Sequence, residues 1–315
     1  MFCLKISETQ IQLIGSILGE DAARDLPLKN LTSFRIGGPA DVVGFPKDAE
    51  ILARLLKFAR QEHIRYFVLG SGTNVLFHDE GFRGLIISPL RVKKLDVQTN
   101  KCHEAHIVAQ CGTSLPMVVA RSCRLGFTGL EPLWGIPGSI GGSIACNAGA
   151  NGLSVGDFIE EVEIINRDGE IISLKKGSFS YGYRFCNLPR QSVVLQTCFK
   201  LMRSDPYQIH ARLENFRSVR RSTQPHGFPS AGCVFKNPAR DLSAGALIEK
   251  LGFKAMRCGG AEVSSVHANF IVNRNKAKAS NVLELIDHIT ETAYKREGIS
   301  LELEIRIVNP RENYV

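Results

Sequence analysis

The chain has 315 residues, 44% of them hydrophobic, and a formal net charge of +8. That length supplies core for two or three domains, and the composition excludes a disordered, collagen-like or disulfide-stapled chain. Nine cysteines, an odd number with no Cys-x-x-Cys pair, point to a reducing cytosol, and the scattered positive charge fits anionic nucleotide substrates rather than nucleic acid, which calls for clustered Lys and Arg with interleaved aromatics.

No apolar run reaches membrane-spanning length, and the N-terminal segment carries Lys5 and Glu8 where a signal peptide would be apolar, so a cytoplasmic or at most peripherally membrane-associated protein is expected. Residues 1–29 are expected to form a helical extension. Apolar spacing predicts a helix over 48–62 with Asp48 as its cap. Tyr66-Phe-Val-Leu69 reads as a buried strand that delivers the bare loop Leu69-Gly-Ser-Gly-Thr-Asn-Val-Leu76. A short strand at 85–87 follows, and helical periodicity over 115–125 stops at Gly126. The segment 129–152 then holds seven glycines and two prolines. Without Cβ atoms such a backbone can bring its N–H groups close to a pyrophosphate or a flat cofactor.

Strands 161–166 and 170–174, joined through Asp168-Gly169, predict a hairpin, and 193–201 predicts another strand. A domain boundary is placed at Ser204-Asp-Pro206. Beyond it the pattern predicts a basic helix to about Arg221, a loop over 222–238, a short helix over 242–251, a strand over 268–273 and a helix over 280–297. Residues 301–308 alternate as a strand, with Leu301, Leu303, Ile305 and Ile307 on the core face and Glu302, Glu304 and Arg306 on the other. His103 and His106 have half the spacing of a metal site, but further ligands are missing, and no metal is expected.

Six stretches, in order, resemble one family. They are Asn30-Leu-Thr-Ser-Phe-Arg-Ile-Gly-Gly-Pro-Ala-Asp41, residues 69–76, Gly135-Ile-Pro-Gly-Ser-Ile-Gly-Gly142 with Asn147-Ala-Gly-Ala150, Tyr181-Gly-Tyr-Arg184, Ser230-Ala-Gly-Cys-Val-Phe-Lys-Asn-Pro238, and Glu304-Ile-Arg306. The chain resembles the UDP-N-acetylenolpyruvoylglucosamine reductases, and its length is similar to that of their shorter type II subclass. The resemblance implies an α+β fold: a FAD-binding domain of the vanillyl-alcohol-oxidase (PCMH) type over 30–203, in two α/β lobes split near residue 90, and a C-terminal α+β substrate-binding domain over 204–315. Its last strand, 301–308, returns to the active site.

The activity implied is reduction of UDP-N-acetylglucosamine enolpyruvate to UDP-N-acetylmuramate, with non-covalent FAD, NADPH as co-substrate and ping-pong kinetics, in a monomer or weak dimer. By the same resemblance, Arg184, Cys233 and Glu304 are catalytic. Arg184 would meet the substrate carboxylate. Cys233 would protonate C2, since a thiol with an ordinary pKa near ~8.5 is protonated at neutral pH. Glu304 would manage the enolic intermediate. Cofactor contacts fall on Arg35, Gly70, Ser71, Gly72, Thr73, Asn74, Gly135, Ile136, Pro137, Gly138, Ser139, Gly141, Gly142, Asn147, Gly149 and Arg306. Substrate contacts fall on Lys236, Asn237, His267, Arg220 and Arg221. His267 stands where longer members have a glutamine, and a core or surface histidine is the competing reading. Two departures stand out. Thr223 replaces a frequent lysine, leaving Arg220 or Arg221 to supply a phosphate contact, and Phe185-Cys186 replace more polar residues.

An alcohol or sugar oxidase on the same flavin fold is the alternative enzyme. Many such oxidases tether FAD through a histidine in the glycine loop. Residues 70–76 contain none, although His78 follows closely.

Overall fold

The computed structural model describes residues 6–99 and 104–310, which leaves Lys5 and His103 outside the described residues. Its first lobe runs α1 (Glu8–Leu18), β1 (Ala22–Pro27), β2 (Pro39–Gly44), α2 (Ala49–Gln61), β3 (Tyr66–Val68), β4 (Val75–Phe77) and β5 (Phe82–Ile87). Asp48 caps α2 by accepting from Ile51 N at 2.8 Å. Leu52, Leu55, Leu56 and Ala59 of α2 pack with Ile14 and Leu18 of α1 over a sheet ordered β1-β2-β5-β3. The N-terminal segment is therefore not helical throughout: residues 22–27 form the antiparallel edge strand of this sheet, through pairs such as Ala23 with Val43.

The second lobe contains β6 (Leu95–Thr99), β7 (Glu104–Gln110), α3 (Leu115–Arg124), β8 (Phe127–Thr128), α4 (Ile140–Ala145), β9 (Gly149–Ala150), β10 (Leu153–Ser154), β11 (Ile159–Ile165), β12 (Ile171–Lys175), β13 (Tyr181–Gly182), β14 (Phe185–Cys186), β15 (Val193–Arg203) and α5 (Pro206–Thr223). Its sheet is ordered β12-β11-β15-β7-β6. The β11–β12 turn closes on Asn166, whose Oδ1 accepts from the N–H groups of Asp168 and Glu170. His106 Nε2 lies 2.7 Å from Glu160 Oε2 at the surface.

Helix α5 follows the expected boundary at 204 yet packs on the second lobe. Leu213 joins that lobe's core, and Arg212 bonds Glu131. The packing break falls after Thr223.

The third unit carries β16 (Ser230–Cys233), α6 (Ala244–Lys250), β17 (Arg257–Cys258), β18 (Ala261–Val263), β19 (Phe270–Asn273), α7 (Ala279–Glu297) and β20 (Arg306–Val308), with a sheet ordered β16-β19-β18-β17. Strand β16 lies inside the expected 222–238 loop. The tail departs from the expected 301–308 strand. Leu303 bridges Phe235 and Glu304 N donates to Val234 O, the chain bends, and only 306–308 form a strand, which pairs in parallel with β4 of the first lobe. The change of partner sheet interrupts the alternation: Ile305 and Val308 are buried, while Ile307 is only half-buried. Among the described residues no helix is long and apolar enough to cross a membrane.

Candidate active site

Between the two lobes lies a cleft of about 370 Å³, lined by Phe67, Gly70, Ser139, Gly141, Gly142 and Arg306 among others. The two glycine loops meet across it. Thr73 Oγ1 donates to Pro137 O at 3.1 Å, and a Cβ on Gly70 would lie 2.5 Å from Ser139 Oγ. Among the described residues none accepts from the N–H groups of Gly70, Ser71, Gly72 and Thr73, a row of donors suited to an anionic ligand. The second loop is less bare than expected. Ile136, Ile140 and Gly141 give their N–H groups to Leu133, Thr113 and Cys111 carbonyls, so these donors are spent on the fold.

Gly142 has another use. A Cβ there would meet nothing closer than Ser139 Oγ at 3.5 Å and would project into open cleft. The unspent N–H row and this bare wall fit a flavin dinucleotide. Arg306 adds a cation on the same wall, its guanidinium 4.9 Å from the Phe67 ring centroid. Arg35 is exposed at φ +55°, its carbonyl held by Asn273 Nδ2 at 3.4 Å.

Beside the cleft, where Cys186 and Arg306 line it, the second lobe and the third unit contribute side chains. Arg184 sits at the tip of the β13–β14 hairpin at φ +54°, a left-handed conformation that costs a residue with a Cβ about 1–2 kcal/mol. Asn147 and Gly149, expected to meet the cofactor, also hold this hairpin. Asn147 Nδ2 donates to Gly182 O at 2.7 Å while its Oδ1 accepts from Gly156 N, and Gly149 O accepts from Arg184 Nη1 at 3.0 Å. Arg184 Nε lies 2.5 Å from Glu304 Oε1 without the alignment of a hydrogen bond. Burial raises the Glu304 carboxyl above the usual range, and the charges of Arg184 and Lys236 offset part of that rise.

Cys233 ends β16 after a bulge at Gly232, which takes φ +80° and so re-aims the thiol. Burial pushes the thiol up to about 12, with Glu304 adding to the rise and Arg184 and Arg220 opposing it. The same arginine and glutamate act on Cys146, which burial pushes up to about 11. Arg220 is half-buried on α5 and lies against Gly135, where a Cβ would come within 2.8 Å of its Cδ. Arg221 and Thr223 are exposed, and Thr223 Oγ1 donates back to Val219 O.

Lys236 pairs with Glu302 at 3.0 Å. Asn237 N donates to Tyr183 Oη at 3.1 Å, a bond between the hairpin and the third unit, while its Oδ1 accepts from Ala244 N. His267 stands apart. Its Nδ1 accepts from Asn269 N, its ring packs on Phe270, and burial together with Lys254 lowers its pKa, so it is neutral at pH 7. His78 Nδ1 is engaged by Glu80 N.

Sequence reasoning missed Tyr183 and Cys146. Tyr183 lies inside the Tyr181–Arg184 motif and Cys146 inside the glycine-rich segment 129–152, which was the only signal available for them.

Two lobes enclosing a bare-backbone cleft, closed by a third α+β unit that brings an arginine, a thiol and a carboxyl together, define a flavin-dependent oxidoreductase with an α+β fold and FAD as cofactor. Residues 40–175 match the FAD binding domain family, and residues 224–308 match the C-terminal domain of UDP-N-acetylenolpyruvoylglucosamine reductase.

The chain belongs to the UDP-N-acetylenolpyruvoylglucosamine reductase family. It is 39% identical to the reductase of Geobacter metallireducens over 94% of this chain and 95% of that one. It is 36% identical to the reductase of Clostridium novyi, covering 92% of each. The crystal structure of the Thermus caldophilus enzyme superimposes with a TM-score of 0.75 at 34% identity, covering 90% of this chain and 97% of that one.

Proposed function

We propose that the protein reduces UDP-N-acetylglucosamine enolpyruvate to UDP-N-acetylmuramate in the cytoplasm, with NADPH as reductant and the two substrates taking turns at one site. The observation that carries this reading is the meeting of Arg184, Glu304 and Cys233. When bound, FAD supplies the hydride that reaches C3 of the enolpyruvyl group. Negative charge then builds on C2 and its carboxylate, and Arg184 offers a planar cationic fork to it. A fixed donor in a dry site stabilises such charge without reorganising. Cys233, held protonated by burial, gives its proton to C2. Glu304 orients Arg184 and, with its raised pKa, can return a proton to the thiol. Arg220, Lys236 and Asn237 bind the nucleotide sugar, and Arg306 with Gly70 to Thr73 binds the cofactor.

The test is a pair of half-reactions followed by flavin absorbance. Cys233→Ala is expected to bleach with NADPH at the wild-type rate, yet to recover its colour with the enolpyruvyl substrate about 10²–10⁴-fold more slowly, the usual loss on removing a positioned acid. Cys233→Ser should recover much of that rate. Normal recovery in Cys233→Ala would make the thiol structural.

A further inference from the structure

Glu131 opens the glycine-rich segment and is 1% exposed, a charged side chain set into the second-lobe core. Its carboxylate is fully engaged. Oε1 accepts from Thr128 Oγ1 at 2.7 Å and from Arg212 Nη2 and Nε at 3.0 and 3.3 Å, and Oε2 accepts from Gly129 N at 2.5 Å. Arg212 Nη2 also reaches Thr128 Oγ1 at 2.9 Å. A buried ion pair contributes little net stability compared with a well-packed apolar pair, but it fixes geometry. The geometry it fixes here is that of α5, whose single buried residue is Ile209.

Two turns beyond Arg212 on the same helix, Arg220 lays its Cδ and Nε across Gly135, and no Cβ at 135 would leave room for it. Glu131 and Gly135 lie four residues apart in one segment. The first binds the helix, and the second receives the arginine that the helix carries.

We infer that Glu131, acting through Arg212, is a positioning residue that sets the seat of α5 and so holds Arg220 against Gly135, beside Cys233. The inference rests on the proposed role of Arg220 as a substrate contact.

The experiment uses the FAD-loaded protein and a double-mutant cycle of Glu131→Gln with Arg220→Ala, read as KM for UDP-N-acetylglucosamine enolpyruvate, rate of reduction by NADPH, and melting temperature. Glu131→Gln is expected to raise KM roughly tenfold with the NADPH step unchanged, and to add nothing further in the Arg220→Ala background. Arg212→Lys keeps the charge without the two-pronged fork, leaves no buried carboxylate unpaired, and should raise KM in the same direction. Gly135→Ala should reproduce the KM effect with Glu131 intact. An unchanged KM in Arg220→Ala would remove the substrate role of Arg220, and this inference with it. If Arg220→Ala raises KM but Glu131→Gln multiplies that effect, or slows reduction by NADPH in step with a loss of melting temperature, Glu131 is a structural residue only.

Discussion

Gly142 and Gly72 separate a glycine whose Cβ would meet only the cleft from one whose Cβ would meet the fold. A Cβ on Gly142 meets only Ser139 Oγ at 3.5 Å, and the residue sits within α4 on the wall of the cleft. Replacing a helical glycine by alanine stabilises by about 0.5–1 kcal/mol, so apo Gly142→Ala should melt at or slightly above the wild-type temperature. Gly142→Leu extends four carbons into space a flavin would occupy. Overpacking typically costs about 1–3 kcal/mol, which corresponds to about 5- to 150-fold weaker FAD binding.

Gly72 is the control. It takes φ +63°, and a Cβ there would fall 2.1 Å from Leu31 O and 2.9 Å from Thr32 Cα, so Gly72→Ala should lower the melting temperature of the apoprotein itself. The assay is titration of apoprotein with FAD by fluorescence quenching, with parallel apo and holo melts, since only the holo melt carries the linkage to cofactor. If Gly142→Leu binds FAD as tightly as wild type, the cleft is not the cofactor site.

Three further outcomes are expected. Glu304 has a folded pKa raised above its unfolded value, so its titration favours the folded state at acid pH and loses that contribution as pH rises through the folded pKa. Melts across pH 4–8 should therefore show wild type losing ground to Glu304→Gln as pH rises, and a constant difference would mean that the carboxyl is not perturbed. Because the Cys233 thiol is pushed up to about 12, iodoacetamide at pH 7.5 should modify it more slowly than an ordinary exposed thiol, as followed by peptide mass spectrometry; rapid stoichiometric labelling would reveal a thiolate. Asp79 of the first lobe caps α7 by accepting from Ala279 N at 2.7 Å and Ser280 N at 3.1 Å, so Asp79→Ala should cost about 0.5–2 kcal/mol, and an unchanged denaturation midpoint would show that the cap contributes nothing across the interface.

The sequence by itself determined the elements whose signals are local. The Asp48 cap, the 3.6-residue spacing of α2 and α3, the Asp168-Gly169 turn and the helix expected over 280–297 are written in nearest neighbours, and they appear within a residue or two of where the pattern put them. Six ordered motifs also named the family.

Tertiary structure decided the rest, because the same residue types serve a ligand or a neighbouring backbone equally well. Nothing in the sequence shows that Asn147 and Gly149 also bond Gly182, Gly156 and Arg184. The tail over 301–308 alternates as one strand, yet it changes sheets at a bend, and that change brings Glu304 to Arg184 while Arg306 goes to the cleft. Helix α5 carries no sequence mark of the lobe it joins. Leu213 in that lobe's core and the docking of Arg212 on Glu131, 81 positions away in the chain, assign it, since partners at such separations leave no periodicity to read.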